Sequence, residues 1–542
     1  MKHESSAAPT FPQPHLNEMD DALHSNETKF SFGVTVAFTL NYIIGTGFLT
    51  LPWGFNQTGS LLGVAVLGVM TLFAISAALF MLEAMARAEA YANQTNNFGS
   101  FRGDNTPADY RALIPISLRN ESQQFVALRE TKADTPNEFE SRLPNELHIV
   151  GSEKYEITEL CKIFLGKQSV RVYTFLISVY MYGSLWAYST VFADSLAMRL
   201  PLTSQHGDTV SPGSLSYIIY LLLFAFIVVP SSMIELSEQI FVQVTLSVCR
   251  VLMLLLMVST IVIAVLQQET DIANGHGNSG QPFGPFSRVV PNQPSDGHFP
   301  ASMNLKKLYL LLPMAAYATI FHHSIPSISQ PVKNKAKLGQ IFTVTLLLCF
   351  MAYSIMSLVI SAYFGDFTLI STNLNWEFYW GKLSANREIP FYARCISSFV
   401  VLFPALDVAS AFPLNAITLG NSLMSSYYGS KIHILGAEDA LRAKIFFRAA
   451  AAVPPIVAAS LVSNLGIVTH FAGVSGFAIA FIFPSLLAIY SQRLLNNHGL
   501  PYQTQYSCWL TSRWISSLSI VVGLFLILFV VACLCIRGPP PT

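Results

Sequence analysis

Two charged side chains lie deep inside long apolar runs of the sequence. Asp407 stands between Pro404 and Pro413, and Arg250 lies within the run 240–266. A charge at the centre of a bilayer costs at least ~2.5–3.5 kcal/mol on insertion scales, so each one is a functional-site hypothesis that needs a partner. Two interpretations stay open for Asp407: an ion pair with Arg250 that locks helices together, or a site for a coupling proton or cation.

Three further titratable side chains interrupt apolar runs. Glu83 lies near one end of its run and is predicted to be solvated, whereas His322 and His323 are adjacent at the end of another. The histidines are candidates for proton coupling, or else they are satisfied hydrogen-bond partners. No Ser/His/Asp order, second carboxylate or metal-ligand spacing accompanies them, so neither an enzyme nor a bound metal is predicted.

Small, polar and proline residues break two of the apolar runs. The first break runs from Asn41 to Gly47 and is followed by Pro52, and the second runs from Thr319 to Pro326. A break in lipid is tolerated only where the freed backbone groups face protein or a water-filled cavity. The broken runs are the first members of two five-span halves, a pattern that marks the substrate site in inverted-repeat transporters. Close helix packing is the alternative explanation for Gly45 and Gly47.

The chemistry that such breaks offer suits a zwitterion. The N-terminal end of a half-helix presents unpaired N–H groups and partial positive charge to a carboxylate. The facing C-terminal half offers carbonyl groups to an ammonium group or a cation. An amino acid needs both kinds of group.

The composition places these residues in a membrane. Of the 542 residues, 52% are hydrophobic and 11% are charged, where a soluble domain carries about 25% charged residues. The formal net charge is zero, so the basic footprint of a nucleic-acid-binding protein is missing. A soluble cytosolic enzyme and a nucleic-acid partner are both disfavoured.

The apolar runs are long enough to cross a hydrocarbon layer about 30 Å thick. They predict an all-α multispanning membrane protein with about eleven transmembrane helices. The predicted spans are near 30–57, 61–86, 170–198, 215–231, 240–266, 308–326, 341–364, 391–423, 446–462, 465–490 and 515–535.

The polar segments between and around the spans predict the domain organisation. A tail at 1–29 precedes a transmembrane domain at 30–536, and a short tail follows at 537–542. Two insertions interrupt the domain, at 88–168 and 268–304. A small excess of Lys and Arg in the short loops favours a cytosolic N-terminal tail and 88–168 loop, with 268–304 external or lumenal. A cytosolic regulatory partner would bind the 1–29 or 88–168 segment.

Two motifs resemble those of a known family. The pattern Asn41-x-x-x-Gly45-Thr46-Gly47-Phe48-Leu49-x-Leu51-Pro52 resembles the first-span motif of the amino acid/auxin permease family, which includes the sodium-coupled neutral amino acid transporters. Asn464-Leu465-Gly466-Ile467 with Gly473, Gly476, Phe481 and Pro484 is similar to that family's penultimate-span signature. The resemblance implies a LeuT-like fold of two inverted five-span repeats, with discontinuous helices 1 and 6, and alternating access.

The resemblance also implies a set of site residues. The substrate carboxylate would lie against Gly45, Thr46 and Gly47, and the amino group near Thr319, Ile320, Phe321 and His323. The coupling cation would be held by Asn41 together with Asp407 and Ser410. Asp407 stands where sodium-dependent members carry a hydroxyl group, so sodium and protons both stay open as the coupling ion.

These residues predict a secondary active transporter of amino acids, driven by sodium or protons and needing no other cofactor. A non-transporting amino-acid sensor that signals through its cytosolic segments is the alternative, because it would keep both breaks. The expected partners are an amino acid, a coupling cation and the lipid bilayer. The plasma membrane and an endolysosomal or vacuolar membrane both remain open as the location.

Overall fold

The computed structural model describes residues 30–101, 147–151, 155–202, 214–233, 240–273, 286, 303–381, 389–428 and 437–538. Within these ranges the regular structure is helical, apart from two isolated bridges that join Phe30 to Val332 and His148 to Thr504. The predicted tail 1–29, most of both insertions and the side chain of Asn41 lie outside the described residues.

Fifteen α-helices follow one another along the described chain. They are α1 Phe32–Ile43, α2 Leu51–Thr58, α3 Ser60–Phe101, α4 Ile157–Phe164, α5 Lys167–Arg199, α6 Leu215–Met233, α7 Ile240–Ala273, α8 Leu308–Thr319, α9 Ile325–Ser329, α10 Leu338–Phe364, α11 Phe391–Tyr428, α12 Ala437–Leu461, α13 Leu465–Phe477, α14 Phe483–Asn497 and α15 Arg513–Arg537.

Both predicted breaks are present. The first separates α1 from α2, with a 3₁₀ turn at Gly47–Thr50, and the second separates α8 from α9, with a 3₁₀ turn at His322–Ser324. Each second half-helix carries a proline, Pro52 or Pro326, in its first turn. Proline lacks an N–H group that the first turn would leave unpaired in any case, so it favours a helix start there.

Nine helical stretches of the described chain are long and apolar enough to cross a membrane. The half-helices α1 and α2, with 12 and 8 residues, are each too short to qualify alone. Helix α5 has 33 residues, but Ser, Thr and Tyr side chains recur along it and lower its hydropathy. The all-helical, multispanning architecture predicted from the sequence is therefore confirmed.

Helices that are far apart in the sequence pack against each other in pairs. The first broken helix contacts the second through α2 and α8, and the next pairs are α3 with α10, α5 with α11, and α6 with α12. Small residues allow the closest approaches. A Cβ atom at Gly473 would collide with the carbonyl oxygen of Pro313, so the backbone of α13 lies directly on α8.

Several helices extend beyond the predicted spans, and α3 and α12 extend the furthest. Helix α3 continues from the membrane into the predicted 88–168 insertion as far as Phe101, and α12 begins at Ala437 rather than near Phe446. Glu438 and Asp439 occupy the first turn of α12, where negative charge stabilises a helix. The insertion also contains α4, which is docked by its buried apolar face.

Candidate functional site

A small cavity lies beside the first break. Its volume is about 10 Å³, which holds about one water molecule. It is lined by Gly45, Thr46, Phe48, Leu49, Arg250, Met253, Phe403, Pro404, Asp407 and Val408. The cavity therefore joins the broken first helix to α7 and α11.

A buried ion pair forms one wall of this cavity. Arg250 Nη2 lies 2.5 Å from Asp407 Oδ1, and Arg250 Nε donates to Asp407 Oδ2 at 3.2 Å. Only 5% of Arg250 and 8% of Asp407 is exposed. Such a bidentate contact is the strong form of a carboxylate–guanidinium interaction. Asp407 and Arg250 are thus partners, as one of the two interpretations requires, and both face the break.

Three tyrosine hydroxyl groups surround the break. The hydroxyl groups of Tyr317 and Thr46 lie 3.2 Å apart, and Tyr353 donates to the carbonyl oxygen of Ile43 at 3.4 Å. A Cβ atom at Gly45 would lie 3.8 Å from the hydroxyl oxygen of Tyr188. Sequence reasoning missed these residues. The available signal was a tyrosine within an apolar run, because a buried Tyr hydroxyl needs a partner.

The two glycines of the first break have different surroundings. A Cβ atom at Gly47 would lie 2.8 Å from Ala318 Cα and 3.0 Å from Ala318 N, so Gly47 allows the break to rest on the end of α8. A Cβ atom at Gly45 would meet nothing closer than the Tyr188 hydroxyl group. Close packing explains Gly47, whereas Gly45 faces the cavity.

The second break does not line this cavity. The hydroxyl group of Thr319 donates to Ala315 O of its own helix at 3.0 Å, and Ile320 and Phe321 are buried. The His323 ring lies 5.5 Å from the Tyr180 ring. Of the seven predicted substrate-binding residues, only Gly45 and Thr46 line the cavity.

The histidine pair is buried against neighbouring helices. His322 Nε2 lies 2.9 Å from Ala74 O of α3. The Nδ1 atoms of His322 and His323 are buried without a hydrogen-bond partner in the described part of the chain. The two rings therefore face α3 and α5 rather than the cavity.

The predicted ion-coupling residues do not all line the cavity. Asp407 lines the cavity, but the Ser410 hydroxyl group donates to the backbone carbonyl of Asp407 at 2.9 Å. Asn41 belongs to α1, and its side chain lies outside the described residues. Within the described ranges no three His, Cys, Asp or Glu side chains come together as a metal site would require.

The prediction that Glu83 is solvated is wrong. Glu83 is 1% exposed and its carboxylate lies 2.9 Å from Arg87 Nη2. Arg87 also donates to the carbonyl oxygens of Tyr502 and Ala488 and to Ser491 Oγ. Sequence position alone placed Glu83 near a span end, but α3 continues past it and α14 covers it.

The side of the molecule opposite to the start of α1 is closed above the cavity. We call this side of the molecule the opposite face. The side where α1 begins is called the N-terminal face. A 3₁₀ helix at Thr372–Phe378 covers the opposite face. The Thr372 hydroxyl group donates to Leu49 O at 2.6 Å, and Trp376 Nε1 donates to Thr260 Oγ1 at 3.0 Å. Trp376 is fully buried, so this segment shuts off the break from that side.

The fold and its relatives together define a multi-pass integral membrane protein. The chain is similar to "Transmembrane protein 104 homolog" of Dictyostelium discoideum, 24% identical over 494 residues, with 88% of this chain and 90% of that protein covered. It is 23% identical to "Transmembrane protein 104" of Homo sapiens over 538 residues, covering 92% and 97%. The Drosophila melanogaster homolog is 23% identical over 530 residues, covering 89% and 94%.

The assignment to the amino acid/auxin permease family is wrong. The relatives that match nearly the whole chain are named Transmembrane protein 104, and none of these names indicates that family. No family model matches the sequence. The site roles transferred from the resemblance lose that support, and only the geometry of this chain can argue for them.

Among solved structures, the chain is similar to a manganese transporter of Eremococcus coleocola crystallised with an aromatic bis-isothiourea substituted compound. The TM-score is 0.47 at 13% identity, covering 98% of this chain and 91% of that one. A likeness at this level carries no inference about this chain.

Proposed function

We propose that this chain is a secondary active transporter of small zwitterionic solutes, with amino acids as the substrate class. The observation that carries the proposal is the cavity that joins the first break to the Arg250–Asp407 pair. A guanidinium group binds a carboxylate with two parallel hydrogen bonds. A carboxylate in turn accepts hydrogen bonds from an ammonium group. The pair therefore offers each charge that an amino acid needs.

The size of the cavity supports a mechanism in which the protein changes conformation to bind its substrate. A volume of about 10 Å³ excludes an amino acid, so binding requires the walls to separate. The Thr372–Phe378 segment would have to leave the opposite face for entry from that side, and hydrogen bonds and the buried Trp376 ring hold it there. We expect opening and closing of this segment to be one half of an alternating-access cycle.

The packing pattern supports an inverted repeat. The four packed pairs α2–α8, α3–α10, α5–α11 and α6–α12 each join members of the two five-span halves. Nine helical stretches of the described chain qualify as spans by length and hydropathy, and we propose that the first broken helix and α5 also cross the membrane, which would make eleven crossings. In a LeuT-like arrangement of this kind the discontinuous helices meet at the substrate site near the membrane midplane.

The coupling ion follows from the same residues. A proton or a sodium ion that binds Asp407 would weaken its contact with Arg250, and the guanidinium group would then turn towards the substrate carboxylate. This order of events would link ion binding to substrate binding. Sodium and protons remain alternatives, and no further cofactor is proposed.

The experiment is uptake of labelled amino acids into proteoliposomes, with sodium and pH gradients imposed separately. Uptake that follows one gradient supports the transporter and identifies the ion. The double substitution of Arg250→Met with Asp407→Leu removes both charges and should abolish uptake. Binding of an amino acid without uptake under either gradient would overturn the transporter and favour the sensor, whose signalling segments would be 1–29 and 88–168.

A further inference from the structure

A second and wider cavity of the described chain lies away from the central site, on the N-terminal face. It has a volume of about 470 Å³ and lies between α3, α14 and the segment that leads into α15. The Glu83–Arg87 pair forms its buried floor. None of the transport steps proposed above uses this cavity.

Positive charge dominates the cavity. Among the described residues Glu83 is the only carboxylate that lines it, and that carboxylate is engaged by Arg87 and by the hydroxyl group of Ser507 at 2.6 Å. Arg513 also lines the cavity and has no acidic partner in the described ranges. Two arginines against one neutralised glutamate leave a net positive charge, which suits an anion.

Several hydrogen-bond donors around the cavity are uncommitted. Arg513 donates through Nε to Gln492 at 2.7 Å, which leaves its two terminal nitrogens unpaired among the described residues. The side chains of Asn496, Tyr502, Gln503 and Ser512 also line the cavity. Within the described ranges none of these four side chains forms a hydrogen bond. Together they can surround a ligand that has several acceptor oxygens.

The surroundings of the cavity place it near a membrane surface. Trp509 and Trp514, on either side of Thr511, are 74% and 86% exposed, and tryptophan is enriched at membrane–water interfaces. Helix α15 is mostly exposed in the isolated chain, with 22% of its most apolar stretch buried. A headgroup of a neighbouring lipid can therefore reach the cavity.

We propose that this cavity binds a phosphate-bearing anion, either the headgroup of an anionic phospholipid or a soluble phosphate ester. A guanidinium group matches phosphate geometry with two hydrogen bonds. Arg513 is the principal ligand and the surrounding amide and hydroxyl groups supply the remaining donors. The proposal stands whether or not the chain transports amino acids.

The test uses the purified full chain in phosphatidylcholine nanodiscs. One arm adds phosphatidylinositol phosphate to the bilayer, and the other adds soluble inositol phosphate or inorganic phosphate to the buffer. Thermal stabilisation is measured for the unchanged chain, for Arg513→Gln and for Arg493→Gln. Arg493 is the matched control because it belongs to α14, stacks over the Tyr490 ring at 5.3 Å and does not line the cavity.

Arg513→Gln should weaken binding about fivefold or more, since one basic residue near a surface contributes that much, and Arg493→Gln should leave it within twofold. Binding in the lipid arm alone assigns a headgroup, and binding in both arms assigns the phosphate group itself. Absence of stabilisation by every probe overturns the proposal. An equal loss in the two variants also overturns it, because diffuse surface charge would then explain the binding.

Discussion

The residues at the first break fall into two groups, those that pack against another helix and those that face the cavity. Gly47 and Gly45 are two positions apart, yet one touches the backbone of α8 and the other faces the cavity. The sequence predicts both glycines as site residues. It could not separate them, because the difference depends on which neighbour each one faces after folding.

The two glycines should respond differently to the same change. Gly47→Ala places a methyl group 2.8 Å from Ala318 Cα, and overpacking of this kind costs about 1–3 kcal/mol. Gly45→Ala meets only the Tyr188 hydroxyl group at ordinary contact distance. We expect a lowered melting temperature for Gly47→Ala alone, measured on the purified protein. Equal melting temperatures for the two variants would contradict the assigned packing.

The Arg250–Asp407 pair can be tested by removing one charge or both. Asp407→Asn removes the carboxylate charge from a buried ion pair, which costs about 3–5 kcal/mol. The double substitution of Arg250→Met with Asp407→Leu removes both charges and should be close to neutral for the free energy of unfolding. Denaturant unfolding in detergent measures both. A double variant as unstable as Asp407→Asn would show that the helices depend on the pair for more than charge balance.

Elements of the chain differ in how far the sequence predicts them. The eleven predicted spans each contain a helix, and both breaks occur at the predicted residues, because long apolar runs and a Gly or Pro within them are local signals. The sequence does not predict that the 3₁₀ helix at Thr372–Phe378 covers the opposite face. Its role depends on contacts with four distant parts of the chain, through Leu49, Ser195, Thr260 and Val401.

The Thr372–Phe378 segment should open more often when one of its hydrogen bonds is removed. Thr372→Val deletes the bond to Leu49 O, and a single bond contributes about 1 kcal/mol net. Hydrogen exchange of residues 371–378 should then become about fivefold faster. Thr368→Val is the matched control, because its hydroxyl group bonds only to Gly365 O in its own turn. Equal exchange rates in the two variants would show that the Leu49 contact does not hold the segment.

Helix α4 is docked by residues that include a cysteine. Burial raises the pKa of the Cys161 thiol from 9.0 to about 12. The folded state therefore holds this proton more strongly than the unfolded state, so the contribution to stability is present below pH 9.0 and is lost as the pH rises towards about 12. At about pH 8 we expect maleimide to label the exposed Cys508 but not the buried Cys161, because thiol reactivity requires access and a thiolate. Labelling of Cys161 at that pH would show that α4 is not docked.

The whole molecule presents two faces whose orientation in the membrane is a prediction. Cys508 lies on the N-terminal face, predicted to be cytosolic, and Met303, 58% exposed, lies on the opposite face. In intact cells, an impermeant thiol reagent should label Met303→Cys but not Cys508 until the membrane is permeabilised. Cys395 and Cys535 are replaced by Ala beforehand, because both are exposed. The reverse pattern would invert the topology.

For the whole molecule, the sequence predicts a multispanning helical membrane protein correctly. It predicts the residues around the first break only in part. Composition and run length are properties of the whole chain, and they are enough for a multispanning helical protein. The partner of Asp407 was one of the alternatives that the sequence left open. The buried Glu83–Arg87 network and the tyrosines around the break were not foreseen, because each depends on helices that are far apart in sequence.

The buried tryptophan of the closing segment gives the molecule an optical signal of its own. Trp376 is fully enclosed and its indole nitrogen is hydrogen-bonded, whereas Trp509 and Trp514 are largely exposed. If the Thr372–Phe378 segment moves away from the bundle, the Trp376 indole passes from an apolar to an aqueous environment. Its fluorescence emission should then shift to longer wavelength, so in a variant that keeps Trp376 as the single one of the six tryptophans each opening of the opposite face can be followed in real time without an added dye.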